Sequence, residues 1–200
     1  MKFVKINILI FLFFFSCDDT VQENENIASV YKMKIPSIEI NKVNNHLKLK
    51  NGILYFEGKQ YSGIVNEFYE DENIKSKSEY YKGKRHGFFL GWYRNGEQWF
   101  ERFYIKGLKS GVHKGWYKNG VQMFEYHFNN KGVYHGVVKD WYTNGMLTKY
   151  FNFVQGKESG SQKMWDLKGK LRANFYTING ERHGLIGLKK CVSVLKTEIK

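Results

Sequence analysis

Proline and cysteine are nearly missing. The 200 residues hold one proline, Pro36, and two cysteines, Cys17 and Cys191. Few prolines beside many Tyr, Phe and Trp suit strands, where aromatic side chains pack well on a pleated surface. Two cysteines exclude a disulfide framework and a cysteine zinc site. Long apolar runs are scarce too. The one at the start of the chain covers about 10 residues, too few to span a bilayer as a helix. No Ser-His-Asp order and no paired-carboxylate pocket stands out. Gly83-Lys84-Arg85-His86-Gly87 looks like a phosphate loop, but it joins two strands and lacks the helix N-terminus such a loop uses.

What is present is a ladder of glycines. Gly63, Gly87, Gly111, Gly136, Gly160 and Gly184 follow one another at intervals of 24, 24, 25, 24 and 24 residues. Five residues after each of the first five comes a large aromatic: Phe68, Trp92, Trp116, Trp141 and Trp165. A fixed period in this range marks a repeat architecture, in which each unit buries its apolar face against its neighbours. Within a unit, a strand from the glycine runs to a turn at Asn95-Gly96, Asn119-Gly120, Asn144-Gly145 or Lys168-Gly169. The first repeat has Asp71-Glu72-Asn73 there, with Glu70 beside it, and these acids are expected to be solvated. A return strand then reaches a second turn at Gly83, Gly107, Gly132, Gly156 or Gly180. Asn-Gly suits a two-residue turn with positive φ at both positions, so that turn type is expected at the first turns. The extra residue of the third repeat falls near Asn129-Asn130, in or beside its second turn.

The expected fold is all-β: an elongated antiparallel meander of repeated β-hairpins, about 24 residues per repeat. Five repeats fill 63–187. Residues 46–62, alternating around Asn51-Gly52, predict a capping hairpin. Residues 18–45 predict a flexible spacer, with a short edge strand over 35–40, and 188–200 a C-terminal strand or tail. Phe68 pairs in sequence with Tyr69, Trp92 with Tyr93, Trp116 with Tyr117 and Trp141 with Tyr142. Adjacent strand residues point to opposite faces, which predicts stacked indoles on one face and a tyrosine ladder on the other.

The first 17 residues carry two lysines, the apolar run, and Ser16-Cys17. This predicts a secretory signal. The small residue and cysteine at its end resemble the lipobox of bacterial lipoproteins. That resemblance implies cleavage before Cys17 and acylation of it, hence a lipid-anchored protein of the bacterial envelope, periplasmic or surface-facing. Cys191 is then left without a partner and reads as a small buried hydrophobe or a free thiol.

The formal net charge is +13, and residues 63–187 contribute 20 Lys and Arg against 12 Asp and Glu. Lys82, Lys84, Arg85, Lys106, Lys109, Lys131, Lys157 and Arg182 belong to the second turns and are expected along one long edge. Two readings of that row stand side by side. It engages an anionic surface, or it only solvates the turns and protects the sheet from aggregation. His86, His135 and His183 precede repeat glycines in alternate units. Alternate hairpins lie about 19 Å apart at ~4.8 Å per strand, so these histidines cannot share an ion. His113 and His127 fall in one repeat, where they are close enough in sequence to meet, and His46 has no evident partner. No metal and no cofactor is expected.

Gly-x₄-Trp-Tyr-x-Asn-Gly, an aromatic return strand, then Gly-Lys and the next glycine resemble the MORN repeat. More closely they resemble the bacterial variant named the YwqK family, often labelled an antitoxin. The resemblance covers about residues 51–187. It implies a hairpin ribbon, scaffolding and protein contacts, and no catalytic residues. The expected function is therefore non-enzymatic, a protein-interaction scaffold with an unknown protein partner. Binding of an anionic lipid or glycan by the basic and aromatic surfaces is the first alternative, and an antitoxin or immunity role the second. Nucleic acid is not the expected partner.

Overall fold

The computed structural model describes residues 35–187. The signal, Cys17, most of the spacer, and the tail with Cys191 lie outside the described residues. No helix occurs among the described residues, so none there is long and apolar enough to cross a membrane.

The chain begins with β1 (Glu39–Asn41), then β2 (Leu47–Lys50), β3 (Ile53–Phe56) and β4 (Lys59–Gln60). A meander follows: β5 (Gly63–Phe68), β6 (Ile74–Tyr81), β7 (Lys84–Trp92), β8 (Gln98–Ile105), β9 (Leu108–Trp116), β10 (Gln122–Phe128), β11 (Tyr134–Trp141) and β12 (Leu147–Val154). It closes with β13 (Lys157–Glu158), β14 (Gly160–Trp165), β15 (Leu171–Ile178) and β16 (Glu181–Leu185). From β5 onward, successive strands are neighbours in one 13-stranded antiparallel sheet, with the short β13 pairing β12. The hairpin-repeat meander is thus present as expected.

Two features of the N-terminal end differ from expectation. The cap is a separate three-stranded sheet, β2-β3-β4, because a second tight turn at Glu57-Gly58 adds β4 to the hairpin. The expected edge strand exists as β1, inside the segment assigned to the spacer. It pairs with β5 in parallel, Ile40 opposite Val65, so one pair departs from the antiparallel rule. Burial explains its order: Ile40 packs with Leu54, Tyr61 and Val65, with Leu47, Phe56 and Tyr80 against them. The Tyr61 hydroxyl lies 2.7 Å from the Ile38 carbonyl oxygen and 2.9 Å from that of Ile64, tying the entering chain to β5.

The turn types are the reverse of the expectation. At each first turn only one residue has positive φ, Glu72 in the first repeat and the glycine in the later ones, as at Gly96 (+84°). Tyr93 accepts from the Gly96 amide and donates its own to Glu97, which describes a four-residue turn ending in a left-handed residue. Asn95 stays out of the positive-φ region, and its Oδ1 accepts the Glu97 amide in an Asx turn. The two-residue turns with both φ positive are the second ones: Lys82-Gly83, Lys106-Gly107, Gln155-Gly156 and Asn179-Gly180. The third repeat is the exception. Asn129 accepts from Gly132 and donates to Val133, so its inserted residue converts a tight second turn into the longer form without disturbing the strands.

Gly87, Gly111, Gly136 and Gly160 each lie where a strand bulges, whereas Gly184 pairs with Phe175 in regular register. His86, Gly87 and Phe88 stand opposite Glu79 alone, and the same three-to-one mismatch recurs at Gly111 and Gly136. Gly87 has φ +104°, and a Cβ there would collide with the Glu79 carboxylate. The amide and carbonyl groups that such a bulge detaches need other partners. Glu79 Oε2 accepts the Phe88 amide at 2.7 Å. At the next bulge, His113 Nε2 donates to the Phe103 carbonyl at 2.7 Å. At the fourth, Gln162 bonds both the amide and the carbonyl of Asn152. A smaller bulge sits before each large aromatic, with Lys75, Trp99, Met123, Thr148 or Arg172 as the extra residue.

The C-terminal end has no counterpart to the cap among the described residues. Every residue of β16 is exposed, and Tyr176, Ile178, Leu185 and Ile186 keep 41–53 % of their surface in solvent.

Candidate functional site: the basic edge and its cleft

A meander places all first turns along one edge and all second turns along the other. Consecutive second turns are two strands apart, about 9.6 Å. Lys82, Lys84, Arg85, Lys106, Lys109, Lys131, Lys157 and Arg182 are all exposed there. The structure divides them. Arg182 forms a two-pronged pair with Glu158, both distances 2.8 Å. Arg85 lies over the rings of Phe89 and Tyr104, Lys109 over Phe128 and Lys82 over Tyr81. Lys84, Lys106, Lys131 and Lys157 join no ion pair and cover no ring among the described residues. Acids on the strands are engaged elsewhere: Glu67 with Lys42 and Lys75, Glu125 with Lys139 and His127. Against the opposing effect of burial, the lysine charges and the hydrogen bonds from these partners, His127 included, hold the Glu67 and Glu125 carboxyls below the usual carboxylate range. At the far edge Arg94 pairs with Asp71 at 3.4 Å and Glu70 at 3.8 Å, so this acidic tip is ion-paired as well as solvated.

One stretch of the basic edge is concave. The Asn51-Gly52 turn of the cap leans towards the second turns of the first two repeats, leaving a cleft of about 460 Å3. Lys84, Arg85 and Lys106 line it together with Leu49, Ile53 and Leu108, and no carboxylate does. The cap is fixed here by the Leu54 amide, which donates to the Gly83 carbonyl at 2.8 Å. A side chain at Gly83 would strike Ile53 and the Leu54 carbonyl.

Two of the histidines before the glycines, His86 and His135, serve the turns, whereas His183 lies 3.9 Å from Glu181. His86 is fully buried, and its Nδ1 accepts the Lys106 amide at 3.1 Å. His135 does the same for Gln155 at 3.4 Å, and Ser62 Oγ for Lys82 at 2.8 Å. Burial, and secondly the Lys106 charge, lowers the His86 pKa. His113 and His127 do not share a site. They are opposite Tyr126 and Val112, one register step apart, and so on opposite faces. Burial depresses His113 to about 4. Among the described residues no group of three or more His, Cys, Asp or Glu is placed to hold a metal ion.

The aromatic prediction is met in one part only. The tyrosines form a ladder of hydrogen bonds: Tyr69 to the Trp92 carbonyl, Tyr93 to Trp116 and Tyr117 to Trp141, each 2.8 Å, and Tyr142 to Trp165 at 3.3 Å. The indoles do not stack: among the described residues no ring pair joins Trp92, Trp116, Trp141 and Trp165, and Phe68 is exposed. Equivalent residues two strands apart sit about 9.6 Å from each other, beyond the 4.5–7 Å range of ring pairs.

Sequence reasoning missed the cleft and the polar side chains that repair the bulges. A signal was present instead for the turn acceptors Ser62, His86 and His135, since Ser62, Ser110 and Ser159 alternate with His86, His135 and His183 before the repeat glycines. No family model matches this chain, and neither does any curated protein.

Proposed function

We propose that this chain is a non-enzymatic repeat lipoprotein of the bacterial envelope, of the MORN-like kind that the YwqK family represents, anchored through Cys17. It presents its ribbon to a protein partner. The observation that carries this reading is the row of exposed lysines Lys84, Lys106, Lys131 and Lys157, repeated along one edge of the ribbon and joined in no ion pair among the described residues. A repeated edge suits an elongated partner of acidic character, since each unit offers the same contact. Spacing of about 9.6 Å is close to one Debye length at physiological salt, so the charges act as separate points and weaken with salt.

The test joins anchor and edge. The Cys17→Ala variant is expected to leave the membrane fraction, and unchanged retention removes the anchor from the proposal. Photo-cross-linking from the edge in intact envelopes is expected to trap one acidic protein. That adduct should disappear when Lys84, Lys106, Lys131 and Lys157 are replaced by Ala. An adduct that persists in the variant overturns the edge reading.

The second reading, an anionic lipid or glycan as the bound species, is favoured by the cleft, where three cations and an apolar wall meet without a carboxylate.

A further inference from the structure

The cleft between the cap and the first two repeats differs in kind from the rest of the edge. We infer that it is a discrete binding site for a small amphiphilic organic anion, a phosphate or carboxylate head on a short apolar body. This deepens the second reading above and rests on it.

Three observations converge. The first is charge: Lys84 and Lys106 come from successive second turns and enter no ion pair among the described residues, and Arg85 stands between them. Arg85 is held from below by Phe89, 4.5 Å from its guanidinium carbon, so its fork is pre-placed instead of free in solvent. The second is the wall. Leu49 is 70 % exposed and Leu108 49 % exposed, yet both face the cleft with Ile53. Exposed leucines beside unpaired cations are explained if a ligand covers both. The third is shape. About 460 Å3 falls within the usual range of small-molecule sites. The cap that closes one side is bonded to the Lys82-Gly83 turn, so the cleft is a fixed part of the fold. A head group alone would use the cations and waste the wall, and a neutral apolar molecule would leave three charges uncompensated. The two requirements together select an amphiphile.

Titration of the purified full chain with octyl phosphate below its micelle concentration, followed by amide NMR shifts, tests this. Inorganic phosphate and 1-octanol serve as the head alone and the tail alone. The expected result is saturable shifts centred on residues 49–53, 80–85 and 106–108, with each half-probe at least tenfold weaker. Lys84→Ala with Lys106→Ala should weaken octyl phosphate at least tenfold. Lys131→Ala with Lys157→Ala, on the same edge outside the cleft, should leave it unchanged. Leu108→Ser should weaken octyl phosphate and leave inorganic phosphate as it was. Inorganic phosphate binding as well as octyl phosphate, octanol binding as well, equal losses in the two lysine pairs, or no localised shift each overturns the site. Equal losses in the two pairs would still support an anion-binding edge, so failure of the cleft is distinguishable from failure of the second reading.

Discussion

The two ends of the ribbon solve the same problem differently. At the N-terminal end, Ile40, Leu54, Tyr61 and Val65 are each at most 8 % exposed, under a separate small sheet and a parallel strand. At the C-terminal end, β16 has no further strand beside it among the described residues, and the apolar Tyr176, Ile178, Leu185 and Ile186 remain half in solvent. The repeats between are nearly the same, so the contrast isolates what a cap contributes. A repeat has no core of its own, and its outermost member depends on whatever covers it. Burial should therefore make the first repeat costly to injure and the last one cheap.

The largest effect expected is at Tyr61. Tyr61→Ala removes a ring packed against Phe56 and Tyr80 and the hydroxyl that binds the Ile38 and Ile64 carbonyls. It should cost about 3–5 kcal/mol in urea unfolding, whereas Tyr176→Ala should cost well under ~1 kcal/mol. Equal costs would break the contrast.

The next effect is a pH dependence at the middle of the ribbon. Folded His113 titrates at about 4, below the ordinary value of 6.5, so the folded state binds fewer protons than the unfolded state between these values. Its contribution is complete above pH 6.5 and is lost as pH falls towards 4. Carboxylates such as Glu67 and Glu125 add their own loss only at lower pH. Urea midpoints measured from pH 7.5 to 4 should fall for the parent chain and fall less for His113→Gln.

A smaller effect separates an inner rung of the tyrosine ladder from its last one. Tyr93→Phe deletes a 2.8 Å bond and should cost about 1 kcal/mol. Tyr142→Phe deletes one of 3.3 Å and should cost less. The smallest change is a gain. Glu72 has φ +63° at the turn position where the later repeats have glycine. Glu72→Gly should raise stability by about 0.5–1 kcal/mol, and a loss would mean that the Glu72 side chain has a role of its own.

Much of this was legible from 24-residue spacing alone: the strand order, the two edges, the basic row and the place of the insertion at Asn129-Asn130. Spacing fixes which residues are equivalent, and equivalence is enough for topology. It does not fix geometry within a unit. Asn95 binding the Glu97 amide decides its turn, and that contact outweighs the preference of Asn-Gly for positive φ at both positions. The cleft depends on how a segment outside the repeat, Leu49 to Ile53, docks on the repeat edge, and periodicity carries no information about that.

The ladder also gives the ribbon a direction. Each tyrosine hydroxyl reaches forward to the carbonyl of the following unit, and Asp166, at the last tyrosine position, turns its carboxylate back to the amides of Lys168 and Lys170. Removing units from the front leaves a carbonyl that water readily serves. Removing them from the rear strands a half-buried donor. A chain built this way is easier to shorten from its beginning than from its end, and any lengthening must insert whole units ahead of the one that carries Asp166.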